Sequence, residues 1–550
     1  MANNLQVFKE LKKNILSFPI WSLLSIFIVA FIAHGSMIFS NVIGIDTEAA
    51  ILGIEAYDGQ GRQGILWIRN LLGMTKFNLW LTNSLTFFLL IFVPLFFFAA
   101  IMIQKKELKN LLFPFCIIFI VSPYWACQLY FLSQSVPVLI SLLLIPLIDI
   151  LISLSINSKV PVKICLLLLS SALFQLVVST YQLNMIIYVT YVCCTFAIAS
   201  LHEKESFKKQ IIFLATQAVF VIAGFVIYEV ITALFYSQYS SYLTEQIIWP
   251  QVGIKMGILN ILRVIKAVLK GSELYSFLYV PLCLITFALT VINCFKTRKK
   301  ISQYLLPVLC ELFVFASPFF FVLLFGSEVS PRMRYIFPIA EALVFLFCYS
   351  EFIFFFDKCR SIKRVTIFKS VLIIASCILL FIDSMKGLNY TTRLYYTNEY
   401  RFDQEKLIAK DLKKDLNQFF IDNNLPEDER NQVVFLGDVN ITYNDMCLPG
   451  YATIGSSSIN WDSNRILRGR LYKFLKTCGY PIGDTPYFSD GATIAFRYYF
   501  DEYFGAKVDA MPAYPYDGYI SEVRDDELGL YYYIVKLGNN WRKPELLPPE

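Results

Sequence analysis

Long apolar runs alternate with short polar stretches through the first 385 residues of the chain, and the alternation stops beyond them. A helix needs about 20 apolar residues to cross the hydrocarbon core of a bilayer. The pattern therefore predicts eleven membrane-spanning helices, at 16–39, 77–103, 111–127, 131–156, 161–179, 181–200, 210–236, 273–295, 302–326, 334–356 and 365–385.

The polar connections between these runs carry lysine and arginine unevenly. Cytoplasmic connections are enriched in these two residues. This predicts a cytoplasmic N-terminus and places everything beyond Phe381 outside the cytoplasm. The three outside segments of interest are 40–76, 237–272 and 386–550. With eleven spans, six basic clusters fall on one side: Lys9/Lys12/Lys13, Lys105/Lys106/Lys109, Lys159/Lys163, Lys204/Lys208/Lys209, Lys296/Arg298/Lys299/Lys300 and Lys358/Arg360/Lys363/Arg364.

The last outside segment predicts a separate domain. Its helices are predicted at 403–424, from apolar spacing, and at 465–477, ending at Gly479. Strands are predicted at 432–437, 492–500 and 530–537. The predicted fold class is an all-α polytopic membrane domain at 1–385, followed by an extracytoplasmic α/β domain at 386–550.

Composition supports a membrane protein. Hydrophobic residues make up 57% of the 550 residues and charged residues 16%, against about 25% charged in an ordinary soluble domain. This excludes a soluble protein and a disordered chain, and two histidines exclude a multi-histidine metal site. The net charge of +6 reflects membrane topology, so no nucleic-acid partner is predicted. Cys447 and Cys478 lie in the predicted outside domain and are the candidate pair for a disulfide.

The first outside loop holds the sharpest candidate chemistry. Asp46 and Glu48 follow the first span, and Arg62 and Arg69 come later in the loop. A carboxylate at this place is suited to removing a proton from an acceptor hydroxyl, or to binding a divalent cation such as Mg²⁺ or Mn²⁺. The arginines are suited to bidentate contacts with phosphate. The structural alternative is that Asp46 caps a helix at 47–56, with Glu48 in its first turn.

Residues 254–270 predict a basic amphipathic helix on the membrane surface. Arg263, Lys266 and Lys270 share one face, and apolar residues fill the remainder. Two interpretations stay open at this point. The helix either anchors the protein to lipid headgroups, or borders the route by which an anionic lipid substrate reaches the protein.

Further polar residues lie within the predicted spans or at their ends. Arg332 and Arg334 either anchor the tenth span at the surface or clamp a phosphate. Tyr124 and Gln128, between spans three and four, either belong to an interfacial aromatic belt or contact a sugar ring. Three acids within the spans are costly to bury and are predicted to face the bundle interior: Glu229, Glu311 and Glu341.

The order of four stretches resembles the serotype-converting glucosyltransferase type II family of temperate phages and bacterial polysaccharide loci. They are IDTEAA (45–50), GQGRQG (59–64), SPYWACQLYFLSQSVP (122–137) and VVSTYQLNM (177–185), and the likeness covers roughly residues 15–390. The resemblance implies a membrane glycosyltransferase of the GT-C architecture that uses a sugar on a polyprenyl phosphate. It also implies that Asp46 and Glu48 lie in the catalytic centre, that Arg62 contacts phosphate or sugar, and that Tyr124 belongs to the donor site.

The predicted function is the transfer of glucose or another hexose from an undecaprenyl-phosphate-linked donor to a surface polysaccharide. The reaction is predicted to take place on the extracytoplasmic face of the bacterial cell membrane and to invert the anomeric carbon, with Asp46 as base, Glu48 supporting it, and Arg62, Arg332 and Arg334 holding the donor phosphate. Membrane lipids are further partners, and the metal requirement is left open. The alternatives are a flippase for lipid-linked sugars, which would need a charged path across the bilayer, or a non-catalytic protein of cell-envelope assembly.

Overall fold

The structure is a computed structural model of the chain. It describes residues 2–53, 60–156, 158–201, 206–235, 247–272, 274–297, 301–357, 363–424, 433–450, 454–461, 469–480, 501–525 and 530–541. The chain divides into two compact units. The first comprises Met1–Phe39 and Ala56–Thr392, and the second comprises Ser40–Glu55 and Arg393–Glu550.

Helices make up most of the described chain. Residues 501–510 are also helical, and 3₁₀ turns occur at Lys106–Leu111, Ser317–Phe319 and Pro331–Arg334. In chain order, the helices are α1 (Ala2–Leu16), α2 (Ile20–His34), α3 (Ser36–Phe39), α4 (Thr47–Ile51), α5 (Gln63–Leu71), α6 (Leu79–Ile101), α7 (Leu112–Ile120), α8 (Pro123–Leu129), α9 (Leu132–Ile156), α10 (Val160–Thr180), α11 (Leu183–Ser200), α12 (Phe207–Phe235), α13 (Trp249–Lys270), α14 (Tyr279–Thr297), α15 (Ile301–Ala316), α16 (Phe320–Phe325), α17 (Ile336–Asp357), α18 (Lys363–Asp422) and α19 (Gly469–Thr477).

Within the described residues, nine helices are long and apolar enough to cross a membrane, which makes the chain an integral membrane protein. Two pairs of helices that meet at a bend are together long and apolar enough as well, and the number is eleven if each pair is one span. The predicted number is therefore the upper limit of what the structure contains. The nine are Leu79–Ile101, Leu132–Ile156, Val160–Thr180, Leu183–Ser200, Phe207–Phe235, Tyr279–Thr297, Ile301–Phe325, Pro331–Phe356 and Ser370–Asp422.

The two bent pairs correspond to the first and third predicted spans. Gln6–Leu16 meets Ile20–His34 at 72°, and Lys106–Ile120 meets Pro123–Leu129 at 57°. A proline stands at each bend. Pro19 is extended (ψ 130°), and so is Ser122 (ψ 131°), which precedes Pro123. Proline disfavours helical geometry in the preceding residue, as at Ser122, and in a helix interior it removes a backbone hydrogen bond. An apolar run alone therefore does not predict a straight span here.

Polar side chains inside the first unit pair with one another between helices. Glu311 is buried and accepts a hydrogen bond from Thr290 (3.1 Å). Glu341 is buried and accepts one from Ser276 (2.5 Å). Both acids face the bundle interior as predicted, whereas Glu229 is only half-buried.

The second unit contains a three-stranded sheet. Its strands are β1 (Val433–Leu436), β2 (Ile520–Asp525) and β3 (Leu530–Lys536), in the order β1-β3-β2. β3 pairs parallel with β1, in the register Val433 to Tyr533, and antiparallel with β2. One core joins the sheet to the C-terminal part of α18 and to α19, through Leu412, Leu416, Phe435, Phe474, Leu475 and Tyr533.

The predicted elements of this unit are only partly found. β1 and β3 lie where strands are predicted, and the predicted helix at 403–424 is the end of α18. The predicted strand at 492–500 lies outside the described residues. β2 has no counterpart among the predictions, because its sequence ISEVRD is largely polar. With three short strands described, the α/β character of the unit rests on one small sheet.

The segment 40–55 is the main departure from the predicted domain division. The sequence predicts a single boundary after residue 385, with this segment in the membrane domain. In the structure, Ser40–Glu55 groups with Arg393–Glu550. The physical reason is burial, because Val42 belongs to the same hydrophobic core as Leu412 and Phe435.

The predicted disulfide between Cys447 and Cys478 is absent, because both residues are free thiols in the structure. Cys447 is buried, and its Sγ lies 3.5 Å from Oδ1 of Asn444. Cys478 is exposed directly after α19. The two thiols thus lie in different surroundings, one buried and one exposed, although both belong to the polar part of the chain.

Candidate active site

The predicted acidic loop lies in the second unit, around the short helix α4. Asp46 occupies the N-cap position in a left-handed conformation (φ 72°, ψ −15°), which is uncommon for a residue other than glycine and costs energy. Its side chain accepts no capping hydrogen bond. The capping interpretation of Asp46 is therefore wrong for its side chain, and the helix predicted at 47–56 ends at Ile51.

Arg470 contacts both acids of the loop. Its Nη1 lies 2.6 Å from Oδ1 of Asp46 and 3.3 Å from Oε1 of Glu48. The side chains of Arg470 and Asp46 are 28% and 34% exposed, whereas that of Glu48 is 1% exposed. Of the two acids, Asp46 is thus the one that a ligand can reach from solvent.

Glu48 has an unusual environment for a carboxyl group. Burial raises its pKa to about 7, against the opposing attraction of Arg470, and the negative charge of Asp46 raises it further. Its Oε2 atom is buried and has no hydrogen-bond partner among the described residues. A carboxyl group with this pKa changes its charge near neutral pH, so the charge balance around Arg470 and Asp46 changes with it.

A buried ion pair holds the backbone that leads into this loop. Arg401 donates to the carboxylate of Glu405 one turn along α18, and neither side chain is exposed. The same guanidinium donates to the carbonyl of Ile43 (2.9 Å), three residues before Asp46. Glu405 in turn accepts from the backbone N–H of Ile459 (3.3 Å). The backbone that precedes the acids is therefore held by charge-assisted hydrogen bonds inside the second unit.

The donor set around Asp46 and Glu48 suits a guanidinium better than a metal ion. Among the residues that the structure describes, no group of three or more His, Cys, Asp or Glu side chains is placed to hold a metal. Arg470 occupies one oxygen of each carboxyl group with its positive charge, and Mg²⁺ and Ca²⁺ rely on several such oxygens. We therefore derive no step through a metal.

In the first unit, two of the family-like stretches contact each other. Gln182, from VVSTYQLNM, donates to the carbonyl of Gln60 (3.0 Å), from GQGRQG. Gly61 has φ +66°, and a Cβ added there would lie 2.3 Å from the hydroxyl of Tyr228. A Cβ at Gly64 would lie 2.7 Å from the backbone nitrogen of Thr180. These glycines let the loop backbone lie directly on α10 and α12.

This contact places Arg62 over an aromatic ring. The Cζ of Arg62 lies 4.6 Å from the ring centroid of Tyr181, which is a cation–π distance. Arg62 is buried, and neither its Nε nor the hydroxyl of Tyr181 has a hydrogen-bond partner among the described residues. Buried polar groups are nearly always paired, so these two atoms are ready donors for a polar ligand.

The SPYWACQ stretch forms α8, and its side chains are buried. Tyr124 packs against Tyr275 (5.6 Å between ring centroids) and Phe337 (5.9 Å), so protein neighbours occupy its ring. Gln128 is completely buried, and both polar atoms of its amide lack a partner within the described part of the chain. The hydroxyl of Tyr124 also lacks a hydrogen-bond partner among the described residues. The donor-site role of Tyr124 and Gln128 stays a prediction, and both residues have unused hydrogen-bonding capacity.

The other predicted arginines have protein partners. Arg334 donates to Glu328 (2.6 Å), to the carbonyl of Val329 (2.8 Å) and to the hydroxyl of Tyr275 (2.9 Å). Arg69 donates to the carbonyl of Met74 (3.1 Å). Arg332 lies over the ring of Phe131 (4.5 Å). Their role as phosphate ligands stays a prediction, and the contacts of Arg334 and Arg69 favour a structural one.

Comparison with known families bears on these residues. A family model described as glucosyl transferase GtrII matches residues 35–350, more than half of the chain. The chain belongs to the GtrII glucosyl transferase family. The resemblance seen in the sequence is thereby confirmed, and the chain is a membrane protein with glucosyltransferase activity, which requires a sugar donor and an acceptor. No curated protein and no solved structure matches the chain.

The GtrII match separates two classes of candidate residue. Asp46, Glu48, Arg62 and Tyr124 lie inside the matched region, whereas Arg470 lies beyond its end at residue 350. Sequence reasoning missed Arg470 and Arg401. Arg470 is 422 positions from Glu48, and no local spacing signals a contact over that separation.

Proposed function

We propose that this GtrII protein transfers a hexose, glucose by its family, from an undecaprenyl-phosphate-linked donor to a surface polysaccharide on the extracytoplasmic face, with inversion at the anomeric carbon. The observation that carries the proposal is the group formed by Asp46, Glu48 and Arg470. It combines a reachable carboxylate, a buried carboxyl group with a pKa near 7, and a cation that contacts both.

In the proposed reaction, Asp46 is the base. It takes the proton of an acceptor hydroxyl as the acceptor oxygen attacks the anomeric carbon and the bond from that carbon to the donor phosphate oxygen breaks. The electron pair leaves with the polyprenyl phosphate, which is a stable anion, so no strong general acid is required. Arg470 holds the carboxylate of Asp46 in place, and Glu48 acts through Arg470 because its own side chain is buried.

On the donor side, we assign the phosphate contact to Arg62. The leaving phosphate gains negative charge in the transition state, and a guanidinium stabilises such charge. This assignment is supported by the buried Nε of Arg62, which has no hydrogen-bond partner among the described residues. The guanidinium lies over the ring of Tyr181, whose hydroxyl is likewise buried without a partner there. Arg332 stays a secondary candidate, and Arg334 and Arg69 are assigned to backbone support.

The flippase alternative has less support. A transporter of lipid-linked sugars requires a charged path through the membrane, and the buried acids of the first unit are engaged by neighbouring side chains, as Glu311 is by Thr290 and Glu341 by Ser276. Family membership favours an enzyme.

The experiment is a transfer assay with the full chain reconstituted in liposomes. Undecaprenyl-phosphate glucose, labelled with ¹³C at the anomeric carbon, is supplied with polysaccharide from a host strain that lacks the protein. We expect labelled polymer in which the anomeric configuration is opposite to that of the donor, read by NMR coupling. Retained configuration excludes direct displacement, and transfer from a nucleotide sugar without the polyprenyl carrier excludes the proposed donor. A strain comparison of wild type and deletion identifies the sugar branch that disappears.

A further inference from the structure

The helix α13 (Trp249–Lys270) of the first unit presents three different sides. One side is buried against the rest of the unit, and one exposes apolar side chains. All charged residues on the third side are cations, because the sequence of α13 contains no Asp or Glu. The buried side consists of Gly257, Ile261, Val264 and Val268, the apolar side of Ile254, Ile258, Leu262 and Leu269, and the basic side of Lys255, Arg263, Lys266 and Lys270.

Three hydrogen bonds hold α13 to the first unit, one before and two after a break in the helix at Gly253 (φ 73°, ψ 161°). At its start, the indole Nε1 of Trp249 donates to the carbonyl of Leu323 (3.1 Å). In its middle, the amide of Asn260 donates to the carbonyl of Gly326 (3.3 Å). After its end, the ammonium of Lys386 donates to the carbonyl of Gly271. These bonds set the rotation of α13 about its axis, so the exposed apolar and basic sides are consequences of the fold.

The chain is an integral membrane protein, so the exposed apolar side chains of α13 are suited to contact with lipid acyl chains. At 100° per residue, the basic side follows the apolar side by about a quarter turn around the helix. This is the arrangement of a helix that lies in the plane of the bilayer surface, with its apolar side at the acyl boundary and its cations at headgroup depth.

We propose that the basic side of α13 is a binding surface for the phosphate headgroups of anionic membrane phospholipids. Four cations without an acid on the same helix complement a layer of phosphates, and the adjacent apolar side matches the acyl chains below them. A soluble protein partner would have to match both sides at once, whereas a lipid surface supplies both. The proposal is independent of the proposed function, since none of these residues is assigned to the transfer reaction.

The experiment measures lipid selectivity of the full chain in nanodiscs. Spin-labelled phosphatidylglycerol and phosphatidylcholine report the fraction of each lipid held at the protein. The test variant combines Lys255→Gln, Arg263→Gln, Lys266→Gln and Lys270→Gln. We expect its preference for phosphatidylglycerol to fall at least about fivefold, the effect of one charge at a membrane surface.

Two further variants interpret that result. Lys406→Gln, Lys410→Gln, Lys413→Gln and Lys414→Gln together remove the same charge from exposed positions of α18, and we expect unchanged selectivity. Lys255→Arg, Lys266→Arg and Lys270→Arg keep the charge and guard against misfolding, and we expect wild-type selectivity. The proposal is overturned if the first variant selects phosphatidylglycerol like wild type, or if the α18 variant loses selectivity equally. It is also overturned if added polyprenyl phosphate binds to wild type through the α13 cations while phosphatidylglycerol does not.

Discussion

The guanidinium of Arg470 lies 2.6 Å from a carboxylate oxygen of Asp46, although the two residues stand near opposite ends of the chain. Both belong to the second unit, which combines Ser40–Glu55 with Arg393–Glu550. The C-terminal residues and the acidic loop therefore belong to one compact unit, in which Arg470 contacts both acids. Removing them would leave Glu48 without its cation, at a cost typical of breaking a buried charge pair.

Replacing Asp46 with asparagine tests the base directly. Asparagine keeps the shape of the side chain but cannot accept the acceptor proton, and a general base contributes about 10²- to 10⁴-fold to a rate. We expect Asp46→Asn to reduce kcat by at least about a hundredfold, with wild-type amounts of protein in the membrane. Single-turnover transfer from the labelled donor measures this.

The matched control for this substitution is Asp517→Asn, at an exposed position of the same unit. We expect it to retain the wild-type rate. If Asp46→Asn keeps more than a tenth of the activity, another group takes the proton of the acceptor hydroxyl. The left-handed Asp46 then has only a structural role in the turn before α4.

The membrane part of the fold is well predicted by hydropathy because long apolar helices have few alternatives in a bilayer. Hydropathy does not predict the bends, since Pro19 and Ser122-Pro123 interrupt the helix without interrupting the apolar run. In the second unit, the sequence pattern does not predict β2. Its residues Ile520–Asp525 carry alternating charges, and only pairing with β3 makes them a strand.

The candidate site shows a similar division. The local pattern predicts that Asp46 and Glu48 carry chemistry, because two acids follow directly after a span. Their partner Arg470 comes from long-range packing, which a single sequence does not encode in any local spacing. The sequence also misleads at Arg334, because an arginine predicted at the membrane surface is buried and pairs with Glu328, six positions earlier.

The pKa of Glu48 predicts the pH dependence of transfer. Below about pH 7 Glu48 is protonated, so Arg470 pairs with Asp46 alone. Above that pH, ionised Glu48 competes for Arg470, which leaves the carboxylate of Asp46 freer to contact the acceptor hydroxyl. We expect kcat/KM to rise as the pH increases through about 7 in wild type, and Glu48→Gln to remove this rise. A pH profile between 5.5 and 8.5 measures both.

The same profile identifies the role of Arg470. Glu48 acts on Asp46 through Arg470, which contacts both carboxyl groups, so Arg470→Gln is expected to remove the rising limb and Arg470→Lys to restore it in part. A limb that persists unchanged in Glu48→Gln would assign the titration to another group and contradict this interpretation of the loop.

The buried pair of Arg401 and Glu405 predicts a stability effect with a consequence for the loop. Arg401→Met leaves Glu405 buried without its cation, which costs about 3–5 kcal/mol, and removes the donor to the carbonyl of Ile43. We expect faster hydrogen exchange in α4 and in the end of α18. The double variant Arg401→Met/Glu405→Met removes both charges and is expected to recover much of the loss. Equal exchange in the single variant and wild type would contradict the assignment.

The last prediction concerns Arg62 and the donor phosphate. A hydrogen bond from a charged group contributes about 1.5–3 kcal/mol, so Arg62→Gln is expected to lower kcat/KM for undecaprenyl-phosphate glucose by about ten- to a hundredfold. Arg62→Lys keeps the charge over the ring of Tyr181 but loses the fork of donors, and an intermediate value is expected. Steady-state kinetics in liposomes measure the three proteins.

Lys76→Gln is the matched control for Arg62, because it removes one positive charge from an exposed position a few residues later in the chain. A loss that depended only on charge near the membrane would appear in both variants and would fall with rising salt. A loss confined to Arg62, and insensitive to salt, requires a desolvated contact with the donor. If Arg62→Gln leaves kcat/KM unchanged, its buried Nε has a packing role, and Gln128 becomes the next candidate for the donor contact.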